Sequence, residues 1–401
     1  MGCLGRGCAA AAPGILGIGP AGNKPNTGPA ADNGRIEMPG PAVSGTIAIS
    51  AVIHFRRTTH GKNETVIESI LGRLAAGEDL SMDEMSQTID LVVEGLCTEG
   101  QVGVLLTALR AKVETAQEVA GAAAALRRHM TPIHTVRKGL IDTCGTGGDG
   151  SGTFNISTAA ALVVAAAGVP VAKHGNRAAS SRTGSADVLA ALGVNINAEL
   201  RRVEQCLDEL GICFCFAPLV HPSMKKVADV RKKLGVPTIF NLLGPLSNPA
   251  GAALQLVGVG QPERRALLAE ALRLLGTERS LVVQGEDGLD EVTLAGPTRV
   301  TEVAGVALRN FTWAPSDFGL APRGLESLAV EGPRQSADMI LQILQGRSGP
   351  PRDIVVVNAA AALWTAGKAE TPLACAQVAA AAIDSGAAAE LLARLVELSN
   401  R

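Results

Sequence analysis

Residues 140–182 decide the fold of the chain and read LIDTCGTGGDGSGTFNISTAAALVVAAAGVPVAKHGNRAASSR. A short apolar run is followed by a glycine-rich turn at residues 145–150, an apolar helical stretch at 159–167 and a second apolar run at 169–172. This order predicts a βαβ unit with parallel strands. The backbone N–H groups of such a turn and of the next helix start converge on an anion-sized space, so the stretch predicts a phosphate ligand.

The glycine spacing alone leaves two better-known phosphate motifs to consider. Gly145, Gly147 and Gly150 fit the G-x-G-x-x-G pattern of a dinucleotide-binding unit. That unit also needs an acidic residue about twenty positions later, and no Asp or Glu lies between Asp149 and Asp187. A Walker A sequence follows none of the apolar runs. We therefore predict a different phosphate site, with a plain tight turn as the alternative.

Residues on both sides of the turn add polar groups to the same space. Asn155, Ser157 and Thr158 fall at the predicted helix start, where they serve as anion donors or as simple N-caps. Lys173 and Arg177 follow the next predicted strand, at the carboxyl edge where open α/β sheets bind ligands. The pattern leaves the role of the neighbouring histidine open between core packing and substrate contact.

An acidic pair supplies a candidate metal site. Asp290 and Glu291 would point to opposite faces of a strand, but the preceding GEDG at 285–288 predicts a loop in which both carboxylates converge. Two hard oxygen ligands beside a pyrophosphate fit Mg²⁺, with a solvated acidic turn as the alternative. An arginine such as Arg231, on a basic helical stretch, is suited to bind a planar carboxylate. Basic helix faces are usually solvated, so the sequence alone does not single out this residue.

The rest of the chain predicts two folded domains. Three capping boxes, at residues 81–84, 98–101 and 115–118, indicate a small all-helical domain over residues 64–135. Short apolar runs then alternate with helical stretches over residues 136–401, which predicts an α/β domain with a mainly parallel sheet. The predicted strands are residues 140–144, 169–172, 212–216, 254–259, 280–283 and 353–357.

Composition narrows the partners and the compartment. Residues 1–63, rich in Gly, Ala and Pro, predict a disordered extension, and organelle targeting or a misassigned start codon both stay open for it. A formal net charge of -2 argues against a nucleic-acid partner, and no apolar segment reaches the ~20 residues of a membrane span. Eight cysteines without a C-x-x-C pair indicate a reducing cytoplasm.

Five segments resemble the anthranilate phosphoribosyltransferase family over roughly residues 65–401: GTGGDGSGTFNIST, KHGNRAASS, GSADVLAALG, VRKKLGVPTIFNLLGPLSNP and GEDGLDEVT. The resemblance implies transfer of a phosphoribosyl group from 5-phosphoribosyl-1-pyrophosphate to anthranilate, with release of pyrophosphate, in tryptophan biosynthesis. It also implies a nucleoside phosphorylase/phosphoribosyltransferase-like fold in which part of 200–235 returns to the helical domain. Mg²⁺ as cofactor and a homodimer formed through the helical domain are implied as well.

The resemblance implies a role for each matching residue. Lys173, Asp290 and Glu291 would act in catalysis, and Ser157, Asp290 and Glu291 would bind Mg²⁺. Gly145, Asn176 and Arg231 would contact anthranilate. The phosphoribosyl pyrophosphate would be surrounded by Gly145, Gly148, Asp149, Thr153, Asn155, Ile156, Ser157, Thr158, Lys173, His174, Gly175, Asn176, Arg177, Ala178, Ala179, Ser180, Ser181 and Ser185.

Two departures and two alternatives accompany the resemblance. Gln284 stands where the family more often has histidine, and the extension has no counterpart in the family. A pyrimidine nucleoside phosphorylase has a similar fold but needs only a phosphate pocket, and the acidic pair argues against it. Non-catalytic paralogues that bind nucleic acid form the other alternative, which the net charge disfavours.

Overall fold

The computed structural model describes residues 66–178 and 181–401. The predicted disordered extension at 1–63, with its targeting alternative, and the predicted contacts of Ala179 and Ser180 lie outside the described residues. Within the described part, no helix combines the length and the apolarity that a membrane span requires.

The three capping boxes begin three helices, as the sequence predicts. Helix α1 covers 66–75 and is followed by α2 (Met82–Glu94), α3 (Glu99–Lys112) and α4 (Ala116–His129). Ser81, Thr98 and Thr115 each accept a hydrogen bond from the backbone N–H three residues later, and the acid or amide there binds back to the cap. The apolar faces of these helices meet in a shared core.

A seven-stranded sheet forms the centre of the larger part. Its strands are β1 (Ile141–Gly145), β2 (Val171–Gly175), β3 (Ile212–Phe216), β4 (Leu254–Gly258), β5 (Arg279–Gly285), β6 (Thr298–Ala304) and β7 (Ala307–Trp313). They lie in the order β3-β2-β1-β4-β5-β6-β7, parallel from β3 to β5 and antiparallel through β6 and β7. The chain changes direction across the sheet between β1 and β4, which is the switch point where such sheets bind ligands.

The remaining helices cover the sheet and enclose two cores. They are α5 (Ile156–Ala166), α6 (Ser185–Ala191), α7 (Leu200–Leu210), α8 (Ala217–Val220), α9 (Lys225–Leu234), α10 (Pro262–Leu274), α11 (Pro333–Leu344), α12 (Pro350–Thr365), α13 (Pro372–Asp384) and α14 (Ala387–Ser399). Successive strand residues enter opposite cores: Leu256 packs with the cluster around α5 and α12, and Val257 with the cluster around α4 and α10. Helix α9 packs against α2 and α3.

Three details of the predicted strand pattern are wrong. Residues 353–357 lie within α12, because a short apolar run in a helix buried on all sides has the same composition as a buried strand. Lys173, His174 and Gly175 belong to β2 itself, although the sequence places them after that strand. The antiparallel strands β6 and β7 were not predicted. Strand β7 is mostly exposed and carries polar residues, so it lacks the apolar run that marks a buried strand.

Candidate active site

The glycine turn and the acidic loop meet at the switch point of the sheet. The amide of Gly147 donates to Asp290 Oδ2 over 3.0 Å. An added Cβ would lie 2.9 Å from that oxygen at Gly145, and 1.6 Å from the Asp290 carbonyl oxygen at Gly258, which pairs with Gly145 across β1 and β4. Two glycines therefore let the acidic loop approach the turn, and the predicted convergence of the two segments is present.

The turn itself requires left-handed backbone conformations. Gly147, Gly148 and Gly150 have φ of 66°, 79° and 74°, a region in which a side chain is strained. Successive amides in such a turn can point into one concavity.

Helix α5 begins directly opposite the acidic loop. Asn155 is its N-cap residue, and the amide of Ser157 donates to Glu291 Oε1 over 3.1 Å. The Asn155 side chain is engaged within the protein, since its Oδ1 accepts hydrogen bonds from Thr183 and Ser336. The hydroxyl of Thr158 is buried and has no hydrogen-bond partner among the described residues. The amides of Asn155, Ile156 and Thr158 likewise donate within the protein, so the helix start offers the site its dipole and the Ser157 hydroxyl.

The acidic loop carries more negative charge than its surroundings neutralise. Burial in the protein, followed by repulsion from Asp149, raises the pKa of Asp290 to about 7. Burial and the charge of Asp290 raise the pKa of Glu291 well above its usual range, and Lys173 opposes this shift. A cation at this position would relieve both effects.

The oxygen donors fit Mg²⁺. No group of three His, Cys, Asp or Glu side chains within residues 66–178 and 181–401 is arranged to hold a metal unaided. Mg²⁺ commonly takes one or two protein carboxylates and completes its shell with phosphate oxygens and water. The pair Asp290 and Glu291 meets that requirement beside an anion site.

Lys173 is the buried cation of the site. Its side chain is in contact with Thr143 and Ser157: Nζ donates to the Thr143 carbonyl oxygen and, over 3.2 Å, to Ser157 Oγ. Burial lowers the pKa of Lys173, while the charge of the buried Asp142 raises it. This ammonium therefore lies between the strand ends and the start of α5.

The segment after β2 folds back on the start of α6. Arg177 Nη1 donates to Asp187 Oδ1 over 2.9 Å, and the amides of Ala178 and Gly184 donate to Asp187 Oδ2. The Ser185 hydroxyl donates to the Asn176 carbonyl over 3.4 Å. The segment is thus held beside the glycine turn by one carboxylate.

These segments enclose a first cavity of about 440 Å³. Among the residues assigned from the family resemblance, its walls include Gly145, Gly148, Asp149, Thr153, Asn155, Ile156, Ser157, Lys173, His174, Gly175, Asn176, Arg177, Ala178, Ser181, Ser185, Asp290 and Glu291. Two assigned residues lie elsewhere: Thr158 is one position further into α5 and buried, and Arg231 lines the neighbouring cavity.

A second, more apolar cavity of about 390 Å³ adjoins the first and shares Gly145, His174 and Asn176 with it. Arg231, on α9, reaches this cavity and lies over the Phe240 ring, with 5.5 Å between the guanidinium carbon and the ring centre. The Arg231 side chain makes no hydrogen bond or ion pair to any residue that the structure describes, and burial lowers its pKa. It is a cation available to a ligand.

Two histidines form part of the wall of the second cavity. The rings of His174 and His221 lie 5.0 Å apart between centres. His174 Nδ1 is 3.0 Å from the Gly244 carbonyl and His221 Nε2 is 3.2 Å from the Ser247 carbonyl, so each of these nitrogens carries the proton. Burial lowers the pKa of both to about 4, and both rings are neutral at pH 7. His174 is therefore a buried, hydrogen-bonded residue that also lines both cavities.

The sequence did not identify several wall residues. Gln261 and Arg264, at the start of α10, line the first cavity, and Arg182 does so after the β2 segment. The prediction of a strand at 254–259 contained a usable signal, because residues just beyond a parallel strand lie at the ligand-binding edge. His221 and Phe240 of the second cavity carry no such signal, since two separate helical turns bring them there.

Comparisons with known proteins agree with this architecture. Residues 68–130 match the model of the glycosyl transferase family, helical bundle domain, and residues 137–389 that of the glycosyl transferase family, a/b domain. The anthranilate phosphoribosyltransferase of Rhodopirellula baltica is 50% identical over 321 residues, covering 80% of this chain and 94% of the relative.

Solved structures are similar over the same range. The Thermus thermophilus anthranilate phosphoribosyltransferase is 43% identical, with a TM-score of 0.78 over 82% of this chain and 99% of that one. The Saccharomyces cerevisiae enzyme in complex with PRPP and Mg is 29% identical, with a TM-score of 0.77 over 84% of this chain and 98% of that one. The yeast enzyme has also been solved in complex with 4-fluoroanthranilate.

Proposed function

The chain belongs to the anthranilate phosphoribosyltransferase family, and we propose that its two adjoining cavities bind the two substrates of that family's reaction. It transfers the phosphoribosyl group of 5-phosphoribosyl-1-pyrophosphate to the amine of anthranilate in tryptophan biosynthesis. The observation that carries the assignment of cavities is the hydrogen bond from Gly147 to Asp290, which joins the phosphate turn to the acidic loop.

The first cavity suits the phosphoribosyl pyrophosphate. Its walls combine the amides of the glycine turn, the start of α5 and the buried ammonium of Lys173. Backbone amides and a helix N-terminus bind phosphate oxygens well, and a buried ammonium adds a charge-assisted hydrogen bond. Residues 173–178 and 181–185 line the same cavity.

Asp290 and Glu291, with the hydroxyl of Ser157, would hold Mg²⁺. The yeast relative was solved with PRPP and Mg, and the two carboxylates here are poorly compensated by the protein. Bound there, Mg²⁺ would neutralise charge on the pyrophosphate.

The second cavity suits anthranilate, which is a flat aromatic acid. Arg231 has no partner among the described residues and can form a bidentate pair with a carboxylate. Phe240 and the neutral imidazole faces of His174 and His221 provide an apolar surface for the ring. Gly145 and Asn176 line both cavities, so the amine of a molecule bound here would face the first cavity.

The chain's own residues then lower the barrier by placement and by electrostatics. A C–N bond forms at the anomeric carbon while the C–O bond to pyrophosphate breaks, and the amine nitrogen gives up one proton to water. The departing pyrophosphate carries growing negative charge. Lys173 and the amides of the glycine turn are positioned to stabilise that charge before the reaction begins. Arg231 fixes the acceptor so that the two reactants meet in one geometry. No protein nucleophile is required.

Three further properties belong to the same proposal. We place the small helical domain at residues 64–135 and the α/β domain at 136–401. Helix α9 belongs to the helical domain in space, because it packs against α2 and α3. We propose a homodimer formed through the helical domain, which exposes Val66 and Val104 on α1 and α3, and a cytoplasmic location. Light scattering on the purified protein measures the dimer, and a monomer at micromolar concentration would reject it.

The test is the fluorescence loss as anthranilate is consumed in the presence of phosphoribosyl pyrophosphate and Mg²⁺. We expect turnover with the full set and none with a chelator. A parallel assay with a pyrimidine nucleoside and inorganic phosphate serves as control for the related phosphorylase reaction. Phosphorolysis without consumption of anthranilate would reject the proposed function.

A further inference from the structure

Four cations line the first cavity, and they differ in what they already bind. Lys173 is bonded to Thr143 and Ser157, Arg177 is paired with Asp187, and Arg182 donates to the Val330 carbonyl. The fourth is Arg264, on the first turn of α10. It forms no side-chain hydrogen bond and no ion pair with any residue in the described part of the chain.

The neighbouring arginine, Arg265, shows that the lack of a side-chain partner is not a general property of this helix. Arg265 is bonded to Thr301 Oγ1 over 2.5 Å and to Asn310 Oδ1 over 3.1 Å, and it does not line the cavity. Two adjacent arginines therefore have different surroundings: one is anchored to the sheet and the other is half-buried at the cavity wall without a protein partner.

The backbone at the start of α10 places Arg264 at the acidic end of the cavity. Helix α10 follows β4, whose last residue, Gly258, is in contact with Asp290. A Cβ at Gly260 would lie 3.0 Å from the Asp149 Cβ and 3.3 Å from the Gly288 carbonyl. The residue that lies two positions before the helix is thus packed against the glycine turn and the acidic loop together.

We propose that Arg264 binds the pyrophosphate group of the sugar substrate and of the released product, a contact that rests on the proposed function. The carboxylates beside it attract the divalent cation that accompanies a diphosphate, and a half-buried guanidinium binds phosphate oxygens by paired hydrogen bonds. The N-terminus of α10 adds a favourable field for the same anion. Arg264 is a binding residue in this scheme, and it takes no part in bond making.

The experiment compares R264Q with R273Q in the full chain. Arg273 is in the last turn of the same helix, where it pairs with Glu270, and it lines neither cavity. We expect R264Q to raise the Kd of inorganic pyrophosphate with Mg²⁺, measured by calorimetry, by about tenfold, which corresponds to ~1.4 kcal/mol. The KM for phosphoribosyl pyrophosphate should rise by a similar factor, while the KM for anthranilate stays unchanged. R273Q should match the wild type.

Several results would overturn the proposal. One is a pyrophosphate Kd in R264Q equal to that in R273Q. Another is a weakened affinity of R264Q for ribose 5-phosphate with an unchanged affinity for pyrophosphate. That result would mean that Arg264 binds the 5-phosphate of the sugar and not the pyrophosphate. Should R264Q melt at a lower temperature than R273Q, R264K tests the same point with the charge retained, and we expect an intermediate Kd. Wild type that binds pyrophosphate but consumes no anthranilate would reject the proposed function and leave the Arg264 comparison valid.

Discussion

The first and second cavities share a wall at the ends of β1 and β2, yet each holds charge in its own way. The first contains Asp149, Asp290 and Glu291 beside the buried Lys173, and the pKa values of Asp290 and Glu291 are raised. The second contains Arg231, the apolar ring of Phe240 and two neutral histidines. One cavity therefore suits a metal-bound polyanion and the other a flat acid with a single charge.

Strand geometry explains how one wall serves both. Lys173 and His174 are consecutive in β2, and consecutive side chains of a strand point to opposite faces. Lys173 extends to Ser157 at the start of α5, whereas His174 extends to the Gly244 carbonyl beside the second cavity. The two kinds of binding site are therefore separated by the two-residue period of the strand. Each cavity can be tested by itself.

The largest effect should come from the acidic pair. In D290N and in E291Q we expect kcat to fall by about 10²-fold or more, because a preorganised charge at the pyrophosphate is lost. Anthranilate binding, measured by fluorescence titration, should be unchanged because the second cavity is intact. Wild-type turnover in both variants would reject the proposal that Asp290 and Glu291 bind Mg²⁺ in the first cavity.

G258A should break the first cavity without touching a functional side chain. Its Cβ would collide with the Asp290 carbonyl oxygen, so the acidic loop must move, and displacement of catalytic groups by about 1 Å can cost 10²-fold. We expect a large rise in the Mg²⁺ concentration required for half-maximal rate. G296A is the matched control, in the loop that carries Asp290, since a Cβ there meets no atom within 4 Å. Equal Mg²⁺ requirements in the two variants would contradict the argument.

R231Q should affect the second cavity alone. Loss of a charge-assisted pair to a carboxylate removes about 1.5 kcal/mol or more, so the KM for anthranilate should rise by about tenfold or more. The KM for phosphoribosyl pyrophosphate should stay near the wild-type value, which is the reverse of the pattern expected for R264Q. Steady-state kinetics with each substrate varied in turn make the comparison, and parallel rises in both KM values would show that the cavities are not independent.

The smallest effect is a difference in pH dependence. Asp290 has a folded pKa raised to about 7, so the folded state loses stability as pH rises towards 7, and Glu291 acts in the same direction. His174 and His221 have folded pKa values lowered to about 4, so they lose stability as pH falls below about 6.5. The acid pair and the histidines thus titrate with opposite signs.

Thermal melting without Mg²⁺ separates the two contributions. Between about pH 6.5 and about pH 8 the acid pair dominates, and we expect the wild-type Tm to fall on the order of 2 °C as pH rises. D290N should show a flatter dependence over that range. An identical slope in the two proteins would mean that the protein already compensates the charge of Asp290.

Local sequence was sufficient for much of the fold. The helices α2, α3 and α4 begin where their capping boxes predict, because a cap uses only residues three apart in the chain. The strands β1, β3, β4 and β5 were also predicted, because each is a short apolar run that can be recognised from neighbouring residues alone. Residues 353–357 were misread as a strand because α12 is buried on all its faces, and burial on all faces removes the 3.6-residue period.

The site divides in the same way between local pattern and tertiary structure. The glycine turn, the start of α5 and the acidic pair could each be predicted from the sequence because each is a short segment with its own chemistry. Gly258 admits Asp290 to within hydrogen-bond distance of Gly147, which is 143 residues away in the chain. The Arg264 side chain has no partner among the described residues, whereas Arg265 has two, 36 and 45 residues away. Both arrangements depend on packing between segments that are distant in the sequence. A residue's type limits what it can bind, but only the folded chain determines which groups surround it.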